Sequence, residues 1–131
     1  MFTLQQIKAA HAKVKTGADF PRYIQEIKSY GLSRYIFNVT DGAIVYYGGN
    51  GHKVAGPPVY TPKIINPSAS PDSLRNIIAV HQQGKTDFAT FCSQAAGAGV
   101  KQWVVDTERM LCIYEDANGN EMVAEPIPEA Y

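Results

Sequence analysis

YYGGNGHKV, residues 46–54, is a glycine-rich run ending in His-Lys, and it is either a phosphate cradle that opens a helix or the turn of a β-hairpin, two readings that lead to different folds. A phosphate loop of the P-loop kind needs Ser or Thr after its lysine and a helix opening there. Here Val54 follows Lys53, and KVAG is strand-like. Shifted 68 positions along the chain, the same stretch lies over YEDANGNEM, residues 114–122, and what the two keep in common is a tyrosine, three residues, then Asn-Gly. Asn-Gly between two strand patterns signals a hairpin, since a type I′ turn needs positive φ at both central residues. The run therefore turns the chain, and the extra Gly48 and Gly49 leave room for a bulge.

The 68-residue offset holds without a gap from residue 19 to residue 59. Asp19/Asp87, Phe20/Phe88, Gly31/Gly99, Tyr46/Tyr114, Asn50/Asn118, Gly51/Gly119 and Pro58/Pro126 are identical. Tyr35/Trp103, Ile36/Val104, Asn38/Asp106 and Val45/Ile113 are like for like. Upstream the offset becomes 70, with LQQIKAAH (4–11) over LRNIIAVH (74–81). Two copies at this period indicate pseudo-twofold packing, not a solenoid.

Each copy reads as helix, helix, three-stranded meander. Thr3 with Gln6 forms a capping-box pattern and Phe2 can staple onto Ile7, so the first helix starts at Leu4, with Leu4, Ile7, His11 and Val14 as its stripe. The second opens at Asp19, as N-cap, and closes at Gly31; Asp87 and Gly99 do the same in the other copy. Strands are expected at 34–39 and 43–47, at 102–107 and 110–115, and from Lys53 and Glu121 onward. Pro57, Pro58 and Pro126 place the third strands at edges. The fold class is thus α+β, two-layered, an internal duplication of a helix-helix-three-strand unit with pseudo-twofold symmetry. One domain covers 1–131, with a first repeat at 1–60, an extended connector at 61–73 and a second repeat at 74–131.

A chain of 131 residues, 45% apolar, suits one domain of that size. The start MFTLQQIKAAHAKVK has no signal-like apolar stretch and no long apolar run follows, so the expectation is a cytoplasmic protein without a membrane partner. Cys92 and Cys112 make no metal spacing and no disulfide framework, and no metal or cofactor is expected. Zero net charge hides an asymmetry: residues 1–66 carry eight Lys/Arg against three Asp/Glu, and residues 67–131 carry four against nine. Solvated surface charge accounts for that, but it can also steer association, including a homo-oligomer through oppositely charged halves.

Several residues invite chemistry. His11 and His81 occupy equivalent places near the end of the first helix of each copy, where they could share a ligand. No HExxH pattern accompanies them, and a histidine at a helix C-terminus is favoured by the dipole in any case. Asp19 and Asp87 read as caps before carboxylate catalysts. The cysteines correspond to Ile24 and Ile44, which makes them small buried hydrophobes with no local cation to activate them. Tyr46, Tyr114 and Trp103 belong to an aromatic strand set that could stack a ligand, but neutral charge without a basic stripe argues against a nucleic-acid reader. The first strand is apolar at both parities, so both faces of its sheet are expected to be covered, one by helices and the other by a partner or ligand.

FTLQQIKAAHAKVKTGADFPRYIQEIKSYG (2–31), VYYGGNGHKV (45–54), HQQGKTDFATFC (81–92) and GVKQWVVDTERMLCIYEDANGNE (99–121) resemble, in order, segments of the YbcV/YdfO-like bacterial proteins, a family of unknown function. Its members are often prophage-encoded and loosely labelled phage envelope protein. The resemblance implies an α+β two-layer arrangement and brings no activity, cofactor or catalytic residue. The first functional reading is a non-enzymatic binding or interaction module using an aromatic sheet face or the cleft between repeats. The alternatives are a small-molecule enzyme or ligand-binding protein centred on His11 and His81, and a phage-related structural or regulatory protein.

Overall fold

In the computed structural model, which describes residues 2–14 and 19–127, the first helix α1 (Leu4–His11) opens on the expected capping box. Gln6 N donates to Thr3 Oγ1 at 3.2 Å and Thr3 N to Gln6 Oε1 at 2.8 Å, so two donors that the helix leaves orphaned are satisfied reciprocally. Helix α2 (Phe20–Ser29) does not open as expected. Asp19 stands at the N-cap position, but its backbone is helical (φ −85°, ψ −12°) and its side chain makes no capping bond. A capping side chain folds back onto the third amide from extended backbone, and Pro21 in the first turn has already removed one donor. Its counterpart Asp87 is extended (φ −82°, ψ 174°) and accepts from Thr90 N at 2.7 Å, capping helix α4 (Phe88–Gly97).

Helix α3 covers Pro71–Gln82, so it begins inside the segment expected to be connector. Ser70 caps it by accepting from Ser73 N at 3.3 Å, and Pro71 sits in the first turn, where a missing N–H costs nothing. The rest of the connector is docked. Asn66 N donates to Ala96 O at 3.0 Å, Asn66 Nδ2 to Gly97 O at 2.9 Å and Ser70 N to Ala98 O at 2.9 Å. Tyr60 Oη donates to Val39 O at 2.6 Å.

The strands are β1 (Leu32–Asn38), β2 (Ile44–Gly48), β3 (Lys53–Gly56), β4 (Val100–Asp106), β5 (Leu111–Asp116) and β6 (Glu121–Pro126). They form one antiparallel sheet in the order β3-β2-β1-β4-β5-β6. β3 stops one residue before Pro57 and β6 ends on Pro126, so the prolines do fall on edges. The two meanders join through β1 and β4, whose register centres on Ile36 opposite Val104, positions 68 apart.

β1 and β4 start two residues earlier than the sequence implies because each begins with a bulge, at Ser33 against β2 and at Lys101 against β5. The extra residue resets the side-chain alternation. Leu32 and Tyr35, and likewise Val100 and Trp103, are thereby all buried. The residue just past each of these strands is clipped to the bulge of the other: Val39 N donates to Lys101 O at 2.9 Å, and Thr107 N to Ser33 O at 3.0 Å. The fully buried Thr107 hydroxyl lies 2.8 Å from Leu32 O and 2.9 Å from Ser33 O.

The Asn-Gly turns differ. Asn50 (φ 56°) and Gly51 (φ 75°) carry the two positive φ values of a type I′ turn. Around Asn118 only Gly119 (φ 83°) does. There Asp116 Oδ1 accepts from Asn118 N and Asn120 N, both at 2.9 Å, so a carboxylate organises the second turn in place of a left-handed asparagine.

The core lies between the helices and one face of the sheet. From the strands it takes Tyr35, Phe37, Tyr46, Trp103, Val105, Cys112 and Tyr114; from the helices Ile7, Tyr23, Ile24, Ile27, Leu74, Ile78, Phe91 and Cys92.

Candidate functional site

The residues that the sequence offers for chemistry are mostly structural in their surroundings. Tyr46, Trp103 and Tyr114 are 6%, 6% and 8% exposed, beneath the helices. The aromatic face is therefore the floor of the core and is not open to stack a ligand. Phe37 stacks on Trp103 (4.3 Å between centroids, 15° between planes), and Trp103 in turn meets Phe91 at 5.6 Å and Tyr114 at 5.7 Å. Burial pushes the Tyr46 hydroxyl up to about 12, partly offset by its hydrogen bond with Tyr23. Burial does the same to Tyr35 and Tyr114, so these phenols stay neutral.

The two histidines are engaged separately. His81 stacks on Phe91 (4.5 Å, 25°), and its Nδ1 lies 2.9 Å from Thr86 Oγ1 in the loop after α3. His11, placed on the apolar stripe by its spacing, is exposed, with its ring edge-on to Tyr23 at 5.3 Å. A third histidine, His52, donates from Nε2 to Phe2 O at 2.8 Å and packs edge-on against the Phe2 ring at 4.5 Å. It fastens the first hairpin to the start of α1. Among the described residues, no group of three or more His, Cys, Asp or Glu could hold a metal ion. A groove of about 390 Å³ lies between α3 and α4, within the second half of the chain, lined by Ser73, Asn76, Ile77, Gln94, Gly97 and Ala98. No histidine lines it.

Both thiols are buried. Burial pushes Cys92 up to about 11, against smaller lowering by its hydrogen bond with Tyr60 and the charge of Lys63, and pushes Cys112 up to about 12. Nucleophilic thiols are shifted the other way.

What the sheet leaves open is its other face. By register, one row of that face runs across all six strands: Ala55, Val45, Ile36, Val104, Ile113 and Ala124. None is buried, and none belongs to or packs against the core cluster. At about 4.8 Å per strand the row is roughly 24 Å long. On one side it is flanked by Lys53, Tyr47, Arg34, Asp106, Leu111 and Pro126, and on the other by Asn38, Gln102, Glu115 and Glu121.

The family model for "Protein of unknown function (DUF1398)" matches residues 8–126. This chain belongs to that family. No curated protein matches it. The DUF1398 match runs through both meanders, so it takes in the whole apolar row.

Charge on the open face of this DUF1398 chain is sorted by position. Arg34 lies over the Tyr47 ring at 4.4 Å, with Lys53 beside Tyr47 on the edge strand. At the far end Glu115 and Glu121 stand opposite each other, and Gln102 Nε2 donates to Glu115 Oε1 at 2.7 Å. Between them Asp106 is held by Arg109 (2.9 Å) and by the amides of Glu108 and Arg109. The sequence carries a signal for this row. Ile36/Val104 and Val45/Ile113 match across the 68-residue offset while lying out of phase with the buried aromatics. Which parity faces the helices is settled only by the bulges. No helix of the described residues is long and apolar enough to cross a membrane.

Proposed function

We propose that the protein is a non-enzymatic interaction module, built from two αα-βββ units, whose working surface is the helix-free face of the sheet. The observation that supports it is the apolar row from Ala55 to Ala124, central on the face, continuous over six strands and outside the core. Single exposed apolar residues need no explanation, whereas a contiguous patch rimmed by charge marks a contact surface. The buried phenols and raised thiols favour binding over catalysis. A phage-related structural or regulatory role, the finer identity implied by the YbcV/YdfO-like segments, is the same chemistry put to use in an assembly.

Val104→Lys separates a working surface from a structural one. On a half-buried row outside the core the change costs no more than about 1 kcal/mol, the range of strand propensity and cross-strand pairing, and reduces binding of an apolar fluorescent dye. If instead the row is core, an uncompensated buried ammonium costs several kcal/mol, and a collapsed urea midpoint refutes the reading.

A further inference from the structure

We infer that the groove between α3 and α4 is a binding site for an uncharged phenol, either free or carried on a tyrosine side chain. This goes beyond the sheet-face reading and does not rest on it. The ligand class is indicated by what the chain places at the matching point of its first half. Tyr30 stands 68 positions before Ala98, and Glu26 stands 68 before Gln94. The two helix ends share one backbone conformation: Tyr30 has φ −80° and ψ −3°, Ala98 has φ −85° and ψ −2°, and each precedes a glycine at φ 94°. Matching backbone sends the two Cβ atoms the same way relative to their helices. From Tyr30 the ring packs, half-buried, against the core, and its hydroxyl donates to Glu26 Oε2 at 2.6 Å. From Ala98 there is only a methyl group, and it lines the groove. The ring of the first half is thus missing from the second, where the acceptor's position is held by the neutral amide of Gln94.

The chemistry of the groove selects a neutral ligand. Its volume of about 390 Å³ lies within the roughly 300–1,000 Å³ of small-molecule sites, and none of its six lining residues is charged. It joins the first turns of α3 to the last turn of α4, so the positive end of one helix dipole meets the negative end of the other, and no net field favours an ion. The carbonyls that end α4 are already taken, Ala96 O and Gly97 O by Asn66 and Ala98 O by Ser70. What remains for a ligand is side chain. Among the described residues the amides of Asn76 and Gln94 have no hydrogen-bond partner. Half-buried Ile77 offers apolar contact, and a Cβ added at Gly97 would meet nothing within 4 Å. A phenol ring laid on Ile77 and Gly97 donates its hydroxyl proton to Gln94 Oε1, as Tyr30 does to Glu26, and accepts from Asn76 Nδ2.

The test is titration of the full chain with p-cresol, a tyrosine side chain without its backbone, and separately with N-acetyltyrosinamide, followed by amide NMR on nitrogen-labelled protein. For a ligand of this size in an open groove the expected dissociation constant is on the order of 1 mM. p-Cresol should give saturable shifts in the Asn76 and Gln94 side-chain amides and in the Gly97 backbone amide. Toluene, which keeps the ring and loses the hydroxyl, and the Gln94→Ala variant with p-cresol should each bind about two- to tenfold more weakly, the value of one neutral hydrogen bond. Gly97→Leu should abolish saturation, since its side chain enters the groove from a helix position with open space above it and no positive φ. A circular dichroism melt checks that this variant folds; where it does not, Gln94→Ala and toluene decide. N-Acetyltyrosinamide binding as tightly as p-cresol assigns the phenol to a peptide chain, and binding of p-cresol alone assigns it to a free small molecule. No saturation at roughly ten times the expected constant, shifts confined to the sheet face, or shifts that Gly97→Leu leaves unchanged would each overturn the site. Val104→Lys lies outside the groove and should leave these shifts as they are, so failure of the sheet-face reading and failure of this one are read separately.

Discussion

Gly48 carries a constraint that the quoted YYGGNGHKV stretch does not reveal. A Cβ added there would sit 2.6 Å from the Phe2 ring, which is 2% exposed, and 3.1 Å from Gly31 O. Gly49 next to it has nothing within 4 Å and no positive φ. Gly48→Ala should therefore destabilise by roughly 1–3 kcal/mol through overpacking, and Gly49→Ala should stay within about 0.5 kcal/mol, both read from urea midpoints. Equal effects would show that Phe2 does not seal this hairpin. The glycine pair was legible as a turn; its unequal burden was not, because the ring comes from the other end of the unit. The cysteines make a second residue-scale case. With Cys92 at about 11 and Cys112 at about 12, both buried, a disulfide-exchange reagent at pH 8 should label them only as fast as the fold opens, so labelling should accelerate in step with added urea. Rapid labelling of the native protein would remove the buried-slot reading that their match to Ile24 and Ile44 supplies.

Among the elements, the junction of β1 with β4 depends on the two bulges and the residues that clip them. Thr107→Val keeps the shape but removes the hydroxyl shared between Leu32 O and Ser33 O, at a cost of about 1–2 kcal/mol measured by chemical denaturation. The turn after β4 adds a pH dependence. Burial alone would raise Asp106, but hydrogen bonds from the Arg109 amide and side chain and from the Glu108 amide outweigh it, and the carboxylate is held below its ordinary 3.8. A depressed folded pKa means stability that is present above the unfolded value and lost as pH falls through the folded one. Asp106→Asn should thus be less stable than wild type at pH 7, and the gap should close below about pH 4. A gap that persists into strong acid would locate the effect in side-chain geometry, not charge. The helices and strands here are legible in the sequence, but the local backbone is not: Asp19 fails to cap because its own φ and ψ are helical, and α3 starts at Pro71 because Ser70 is the cap.

At the scale of the molecule, each meander contributes three strands to a single sheet, and β1 and β4 would become edges if the halves were parted. Fragments 1–66 and 67–131, expressed separately, should each lack a cooperative melt and should regain one on mixing, since each exposes a central strand and half a core. Independent two-state melts of both fragments would mean that the halves are separate folding units. Element order, turns, edge prolines and the residue types available for the core are all written locally in the chain, because hydrophobic period, caps and Asn-Gly turns are encoded within a few neighbouring residues. That six strands make one sheet, that Trp103, Tyr46 and Tyr114 lie under the helices, and that Ile36, Val45, Val104 and Ile113 face away from the core emerges only when distant segments pack together. Those outcomes depend on the Ser33 and Lys101 bulges and on the β1–β4 register, which are set by packing between residues some 68 positions apart.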